Sequence, residues 1–239
     1  MESWGAQISA IAALDEPTRR RLYDYVVAHP APVGRDEAAA ALQLPRTTAA
    51  FHLDRLVDEG LLDVIYQRRN GRTGPGAGRP AKLYQRSHHH VAVSLPQLRY
   101  DLAGRLLSSA LAQAERSGAP PRAILDQRAY QMGKDLGETV RATAGNHDIR
   151  DTALRVLQTY GFEPRIDGDH VTLVNCPFHI LAQEYTEIIC GMNLHLLDGL
   201  LDGLAPTGLT AHVDPAPPHC CVRLQPAPSN SAPLAPRDQ

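Results

Sequence analysis

The stretch Arg46-Thr47-Thr48-Ala49-Ala50-Phe51-His52-Leu53-Asp54-Arg55-Leu56 decides the fold of the N-terminal half of this chain. Ala49, Leu53 and Leu56 recur at helical spacing and predict the buried face of a helix that ends near Gly60. The opposite side of that helix carries short hydroxyls near its start and longer donors further along. Such side chains suit contacts to phosphates and base edges in a major groove. The predicted DNA contacts on this face are Arg46, Thr47, Thr48, His52 and Arg55.

The segments around this helix complete a recognisable order of elements. Apolar spacing predicts helices over 6–29 and 34–42 before it, and strands over 61–67 and 81–85 after it. Helix, helix, turn, helix and then a hairpin is the order of a winged helix-turn-helix. The sequence therefore predicts a DNA-binding domain of this type over residues 1–90.

The tip of the predicted hairpin is a basic loop on a chain that is slightly acidic overall, with a formal net charge of −2. Residues 64–90 contain six basic side chains and no acidic one, and the segment 70–80 is rich in glycine and proline. A local basic stripe favours contact with a polyanion at one place. Arginine suits both a minor groove and a phosphate backbone. The predicted contacts are Arg68, Arg69, Arg72, Arg79 and Lys82.

Beyond residue 90 the pattern predicts an α+β arrangement. Leucines at helical spacing predict an amphipathic helix within 91–119, and such a stripe is either core or a dimer seam. We take it as a dimerisation helix. Residues 120–225 are predicted to form a sensor domain in which two hairpins flank a long helix over 178–203. Residues 226–239, rich in proline, alanine and serine, are predicted to be a disordered tail.

All four cysteines lie in this sensor region. A cytosolic chain that gathers its few thiols in this way more often builds a metal or redox site than a set of disulfides. Cys220 and Cys221 are adjacent on a predicted strand, so their side chains point to opposite faces, and Cys220 shares the inward phase of Val222. The predicted ligands are therefore Cys176, Cys190 and Cys220. Cys221 is predicted either to be exposed or to lie next to the ligands without binding the metal itself.

The distance between the first two thiols is the difficulty in this prediction. A continuous helix over 178–203 places Cys190 roughly 18 Å from the helix start, at 1.5 Å per residue. Cys176 precedes that helix. The two thiols can share a pocket only if the helix starts late or bends.

Several chemistries fit these thiols. Three thiolates favour an iron–sulfur cluster. Zinc is the alternative and would take a further ligand from Cys221, His179 or His219. Two further alternatives are that the cysteines are buried structural residues or that they form a thiol-redox switch. An enzyme would use Cys190 as nucleophile with His195 or His179 as base, but the chain has no nucleotide loop, nucleophile elbow or His-Glu-x-x-His motif. The sequence therefore predicts a regulator and no enzyme.

Two groups of motifs resemble known bacterial regulators. The segment 46–56, together with Gly78-Arg79-Pro80-Ala81-Lys82-Leu83-Tyr84, resembles the ArsR-like repressors. The segments Asn175-Cys176-Pro177-Phe178-His179, Ile189-Cys190-Gly191-Met192-Asn193-Leu194 and His219-Cys220-Cys221-Val222 resemble the C-terminal domain of SufR-type repressors, which control cluster-assembly operons through an iron–sulfur cluster.

The resemblance implies a repressor whose affinity for operator DNA depends on a bound cluster, of the 4Fe–4S type. By position it implies Cys176, Cys190 and one of the last two cysteines as ligands. The gap between Cys190 and Cys220 is longer than in the best-known members of the family. The expected partners are double-stranded operator DNA and a second copy of the chain.

The chain is expected to act in the cytoplasm. No run of about eighteen apolar residues is present, so no membrane span is predicted. The N-terminus has no positively charged segment followed by an apolar stretch, so no secretion signal is predicted.

Overall fold

The chain divides into two compact units, residues 1–93 and 94–239, each with its own hydrophobic core. The boundary lies close to the one predicted at residue 90. The segment 91–119, predicted as a separate dimerisation helix, does not stand apart, because its helix packs into the core of the second unit. The structure, a computed structural model, describes residues 3–67, 80–145, 148–214 and 219–228.

The first unit has four helices and three strands among its described residues. The helices are α1 (Trp4–Ala13), α2 (Pro17–Ala28), α3 (Arg35–Ala41) and α4 (Arg46–Asp58), and the strands are β1 (Val33–Gly34), β2 (Leu62–Gln67) and β3 (Ala81–Arg86).

Local chemistry fixes where the helices of the first unit begin and end. Pro17 opens α2, where its missing N–H costs nothing, and the Glu16 carboxylate accepts hydrogen bonds from the backbone N–H groups of Thr18 and Arg19. Gly60, at a φ of 71°, ends the turn after α4 in the left-handed region that glycine tolerates. The apolar faces of α2, α3 and α4 then meet in one core, which includes Leu22, Val26, Ala38, Ala49, Leu53 and Leu56.

The sheet of the first unit is antiparallel, in the order β1-β3-β2. The pair β2–β3 is the predicted hairpin, with Leu62 opposite Arg86 and Gln67 opposite Ala81. The short strand β1 was not predicted, because two residues are too few to show an alternating pattern. The wing residues Arg68, Arg69, Arg72 and Arg79 lie outside the described residues.

The second unit has five helices and four strands in the part that the structure describes. The helices are α5 (Tyr100–Ser117), α6 (Pro121–Thr143), α7 (Ile149–Thr159), α8 (His179–Glu184) and α9 (Thr186–Leu204), and the strands are β4 (Pro164–Asp167), β5 (His170–Leu173), β6 (Leu209–Val213) and β7 (Val222–Pro226).

The leucine stripe of the predicted dimerisation helix is divided between core and surface. Leu102 and Leu106 of α5 are buried in the core of their own unit, whereas Leu111 and Leu95 are exposed, the latter ahead of the helix. The core alternative therefore holds for the two central leucines. Charged substitutions at those two positions would disrupt folding and so would not test dimerisation.

The strands of the second unit form one antiparallel sheet in the order β4-β5-β7-β6. This corrects the prediction of two hairpins flanking a long helix. The hairpins join edge to edge through β5 and β7, with Val171 opposite Leu224 and Thr172 opposite Arg223. This pairing satisfies strand edges that would otherwise expose unpaired backbone groups. Helix α9 packs against β6 and β7.

Helices α6 and α9 approach so closely that their backbones touch. Each contributes two glycines to the contact, Gly133 and Gly137 from α6 and Gly199 and Gly203 from α9. A Cβ atom added to Gly199 would overlap the carbonyl group of Tyr130, which is rigid helix backbone. The position of α9, which carries one of the predicted thiol ligands, therefore depends on the absence of side chains here.

Candidate nucleic-acid interface and thiol site

The outer face of α4 is the candidate DNA-reading surface. Arg46, Thr47 and Arg55 are exposed as predicted, and Thr48 is half-buried at the edge of the face. Phe51 is also on this face and is 66% exposed. Phe51 was not among the predicted DNA contacts, although its helical angle, opposite to that of Leu53, places it on the outer side.

Both arginines of this face are held in surface ion pairs. The Arg46 guanidinium donates two hydrogen bonds of 2.7 Å to the Asp36 carboxylate of α3. Arg55 contacts Glu59 one turn along α4, at 2.5 Å. Both arginine side chains are about half exposed or more, at 67% and 49%. The Arg46–Asp36 pair is exposed on both sides and contributes little to stability, so the Arg46 guanidinium can exchange its partner for a phosphate or a base. The Glu59 side chain is only 11% exposed, so release of Arg55 would leave a largely buried carboxylate without this partner.

His52 departs from the prediction that it lies on the outer face. Its side chain is only 14% exposed, and Nδ1 lies 3.5 Å from Oε2 of Glu16 at the start of α2. No hydrogen bond to Nδ1 is present within the described residues. The imidazole therefore sits between α4 and α2, where it is poorly placed to contact a base.

Lys82, a predicted DNA contact, is engaged with α4. Its Nζ donates to Oδ1 of Asp54 at 2.6 Å, and the Tyr84 hydroxyl donates to the same oxygen at 2.7 Å. Partial burial alone would raise the pKa of the Asp54 carboxyl, but the hydrogen bonds from Lys82 and Tyr84 lower it below its usual value. The charged carboxylate thus ties β3 to α4 and sets where the hairpin leaves the helix.

The four cysteines of the second unit meet in two pairs. Cys190 on α9 forms a disulfide with Cys221, and their Cα atoms are 6.3 Å apart. Cys176 and Cys220 are free, buried thiols whose side chains interact, and this interaction shifts the pKa values of the two thiols in opposite directions. Because Cys220 and Cys221 are adjacent in the chain, the two pairs are neighbours. The thiols thus lie in two neighbouring pairs rather than in the predicted set of Cys176, Cys190 and Cys220, and Cys190 is joined to Cys221, the cysteine placed outside the first choice of ligands.

A break in the predicted long helix brings these residues together. The helix over 178–203 is divided at Tyr185, whose φ of −126° and ψ of 50° are not helical. Cys190 therefore lies in the second turn of α9, only ~6 Å from its start at 1.5 Å per residue. This late start removes the separation that made the prediction difficult.

Cys220 is surrounded by hydrogen-bond donors. The Asn193 amide on α9 donates to its sulfur at 3.3 Å, and the backbone N–H groups of Cys221 and Val222 point to it as well. The interaction with Cys176, followed by these donors, lowers the pKa of the Cys220 thiol despite its burial. The interaction with Cys220, together with burial, raises the pKa of Cys176. Cys220 is thus the sulfur that the surroundings prepare as a thiolate.

Asn193 leaves one polar atom without a partner in this core. Its side chain is fully buried, and Oδ1 has no hydrogen-bond partner in the described part of the chain. A buried amide oxygen without a partner is costly. The residue lies one turn from Cys190 on the same helix face, so this unmet acceptor belongs to the thiol site.

A cavity of about 410 Å³ opens beside the disulfide. Cys190 and Cys221 form part of its wall, and the remaining lining residues are Arg122, Thr186, Glu187, Gly191, Leu194, His195 and Val213. The disulfide, rather than the buried Cys176–Cys220 pair, is therefore the part of the site that small molecules can reach.

The two histidines predicted as further ligands, His179 and His219, have exposed side chains, and the predicted base His195 faces an acidic group, the Asp126 carboxylate, at 3.8 Å. Across the described ranges, no three His, Cys, Asp or Glu side chains are grouped closely enough to hold a metal ion. Thiolate sulfur is the ligand type that iron–sulfur clusters take, and the thiols of Cys176 and Cys220 are free in this conformation. The sulfur of Cys190 is held in the disulfide with Cys221 and is not free to ligate.

Comparison with known families bears on the first unit. Residues 14–65 match the model of a helix-turn-helix domain family. The N-terminal unit contains a helix-turn-helix domain. A search of curated proteins and a search of solved structures returned no match.

The helix-turn-helix domain runs from the turn before α2 to within β2, and it includes the whole of α4. Such a domain indicates a DNA-binding transcription regulator. The match covers less than a quarter of the chain and does not reach β3 or the cysteines. In the described residues, no helix is both long and apolar enough to cross a membrane.

Proposed function

We propose that the protein is a transcriptional repressor whose affinity for operator DNA depends on the state of its C-terminal thiols. One observation carries this proposal: a chain with a helix-turn-helix domain gathers all four of its cysteines at one place in its other unit. A regulator needs one part that reads DNA and another that responds to a signal. The thiols are the reactive groups that the second unit offers for that response.

The cofactor that we propose is an iron–sulfur cluster of the 4Fe–4S type, held by Cys176, Cys190 and Cys220. A bound cluster supplies a redox-sensitive group whose loss alters the core around it. Asn193 and the backbone N–H groups after Cys220 favour the thiolate form that ligation requires. The resemblance to SufR-type repressors adds cluster-assembly genes as the proposed targets.

A second candidate is a thiol-redox repressor without a cluster. The disulfide between Cys190 and Cys221, at the wall of an open cavity, favours it. In either mechanism, Cys190 cannot ligate a metal or react as a thiol while it is bonded to Cys221. A zinc repressor has less support, since the imidazoles of His179 and His219 are exposed.

The thiols are proposed to sense and not to catalyse. Cys190, the nucleophile that an enzyme would use, is 7% exposed and bonded to Cys221. A sulfur held in a disulfide has no thiolate to act as a nucleophile. We place the protein in the cytoplasm, where reducing conditions keep such a pair responsive.

We also propose that the repressor is a homodimer. Trp4, Ile8 and Ile11 share one face of α1 and are 41%, 38% and 48% exposed. An apolar helical stripe left on the surface is typical of a contact with a second chain. A dimer with two helix-turn-helix domains reads a two-fold symmetric operator.

Operator binding tests the function directly. Sites selected by the purified protein from random DNA are expected to be inverted repeats. Arg46→Ala and Arg55→Ala should each weaken binding to such a site by about 1–3 kcal/mol, because each removes a guanidinium from the outer face of α4. Filter binding or fluorescence anisotropy over a range of salt concentrations measures this effect.

Arg20→Ala is the matched control, since Arg20 is a half-exposed arginine on α2, outside the reading face. Its operator affinity should stay near that of the wild type. Wild-type affinity in both α4 variants, or equal losses in all three, would show that α4 does not read the operator.

A further inference from the structure

The outer face of α4 contains one large apolar side chain among polar ones. Phe51 is 66% exposed and lies one turn from Thr47 and one turn from Arg55. Its ring meets the His52 ring edge to face, with centroids 5.2 Å apart. Single exposed apolar residues are common, but this one lies at the centre of the surface that faces DNA in the proposed function.

Folding of the first unit does not account for a phenylalanine at this position. The core face of α4 is formed by Ala49, Leu53 and Leu56, all fully buried. Phe51 points to the other side, so its ring adds little to that core. A polar residue would serve the folded domain as well and would avoid leaving an aromatic ring in water.

The chemistry of the major groove supplies a contact partner for the Phe51 ring. Among the groups that base pairs present there, the thymine C5 methyl is the apolar one, and phenylalanine is a side chain that contacts it. The neighbouring Arg46, Thr47 and Arg55 offer hydrogen-bond donors for phosphates and for base acceptors. A ring between such donors is placed to contact a methyl group between polar base edges.

We infer that Phe51 is a specificity-determining residue that packs on thymine methyl groups of the operator. The inference rests on the proposed DNA-binding function and names the base for which α4 selects. The ring contributes by burying apolar surface against the methyl group, with no hydrogen bond. Binding to DNA without thymine at that position loses this contribution while the arginine contacts remain.

Deoxyuridine substitution tests this contact one methyl group at a time. Each thymine in an operator selected by the wild type is replaced in turn by deoxyuridine, which lacks only the C5 methyl. We expect an effect at only one thymine per half-site, or at two adjacent thymines. There the wild type should lose about fourfold in affinity for each methyl group removed, as expected when one methyl group is no longer buried. Phe51→Ala should bind the thymine operator more weakly and lose nothing further on substitution.

Phe51→Leu separates an apolar contact from an effect on folding. It should keep part of the discrimination between thymine and deoxyuridine, and the thermal unfolding of both variants should match the wild type because the ring is exposed. Independent losses at every thymine, or a Phe51→Ala variant with wild-type affinity, would overturn the inference and leave the proposed function intact. A wild-type protein that selects no DNA sequence would overturn both.

Discussion

Gly199→Ala is expected to destabilise the second unit by at least the ~1–3 kcal/mol typical of an overpacked core. The new methyl group would overlap the Tyr130 carbonyl, and a helix backbone cannot rotate away as a side chain would. The overlap can be relieved only if α9 moves away from α6. Because α9 carries Cys190 and Asn193, such a movement would displace both residues. The same substitution should therefore disturb the thiol site as well as the stability.

Gly104→Ala is the matched control for this experiment. Gly104 is exposed on α5, and an added Cβ would meet nothing within 4 Å. Alanine is the better helix former, so this variant should be more stable than the wild type by about 0.5–1 kcal/mol. Denaturant unfolding followed by circular dichroism measures both. Similar effects of the two substitutions would contradict the close backbone contact between α6 and α9.

Replacement of the proposed ligands should remove the visible absorption of protein purified without oxygen. We expect loss of the broad absorption in Cys176→Ser, Cys190→Ser and Cys220→Ser, because each variant lacks one proposed thiolate. Cys221→Ser should retain most of it, since Cys221 is proposed as the partner that Cys190 takes on oxidation. Absorption spectra with iron and sulfide assays on all four variants measure this.

Two outcomes would change this assignment. Loss of absorption in Cys221→Ser but not in Cys220→Ser would keep the cluster and exchange the last ligand. A colourless wild type holding about one zinc per chain would exclude the cluster in favour of the metal alternative.

Local patterns in the sequence were enough to predict most of the helices. The apolar period of α4 and the position of Gly60 predict a helix that the structure contains at nearly the same bounds, whereas the helix predicted over 6–29 is divided in two, with the second part beginning at Pro17. The period of α4 places Phe51 on the outer face, but a side chain without hydrogen-bonding groups does not indicate a DNA contact by the donor pattern on which the prediction rests. The inward turn of His52 depends on Glu16, a residue in another helix, and so has no local signature.

Contacts between distant segments account for what the sequence did not predict. The pairing of β5 with β7 joins residues such as Val171 and Leu224, and no local pattern encodes it. The break at Tyr185 has no glycine or proline to mark it. The partner of Cys190 could not be deduced either, because cysteine spacing alone does not determine connectivity. Cys220 is buried as predicted, but not because of a strand phase, since β7 begins only at Val222 and both Cys220 and Cys221 precede it.

The most direct test of thiol-controlled DNA binding compares one preparation of the wild type in two states. Operator affinity is titrated under anaerobic conditions with the visible absorption intact, then again after oxidation has bleached it. We expect tighter binding in the first state, by about 5–150-fold, the usual range for coupling between two sites. Equal affinity in both states, on an operator that Arg55→Ala binds poorly, would contradict control of DNA binding by the thiols.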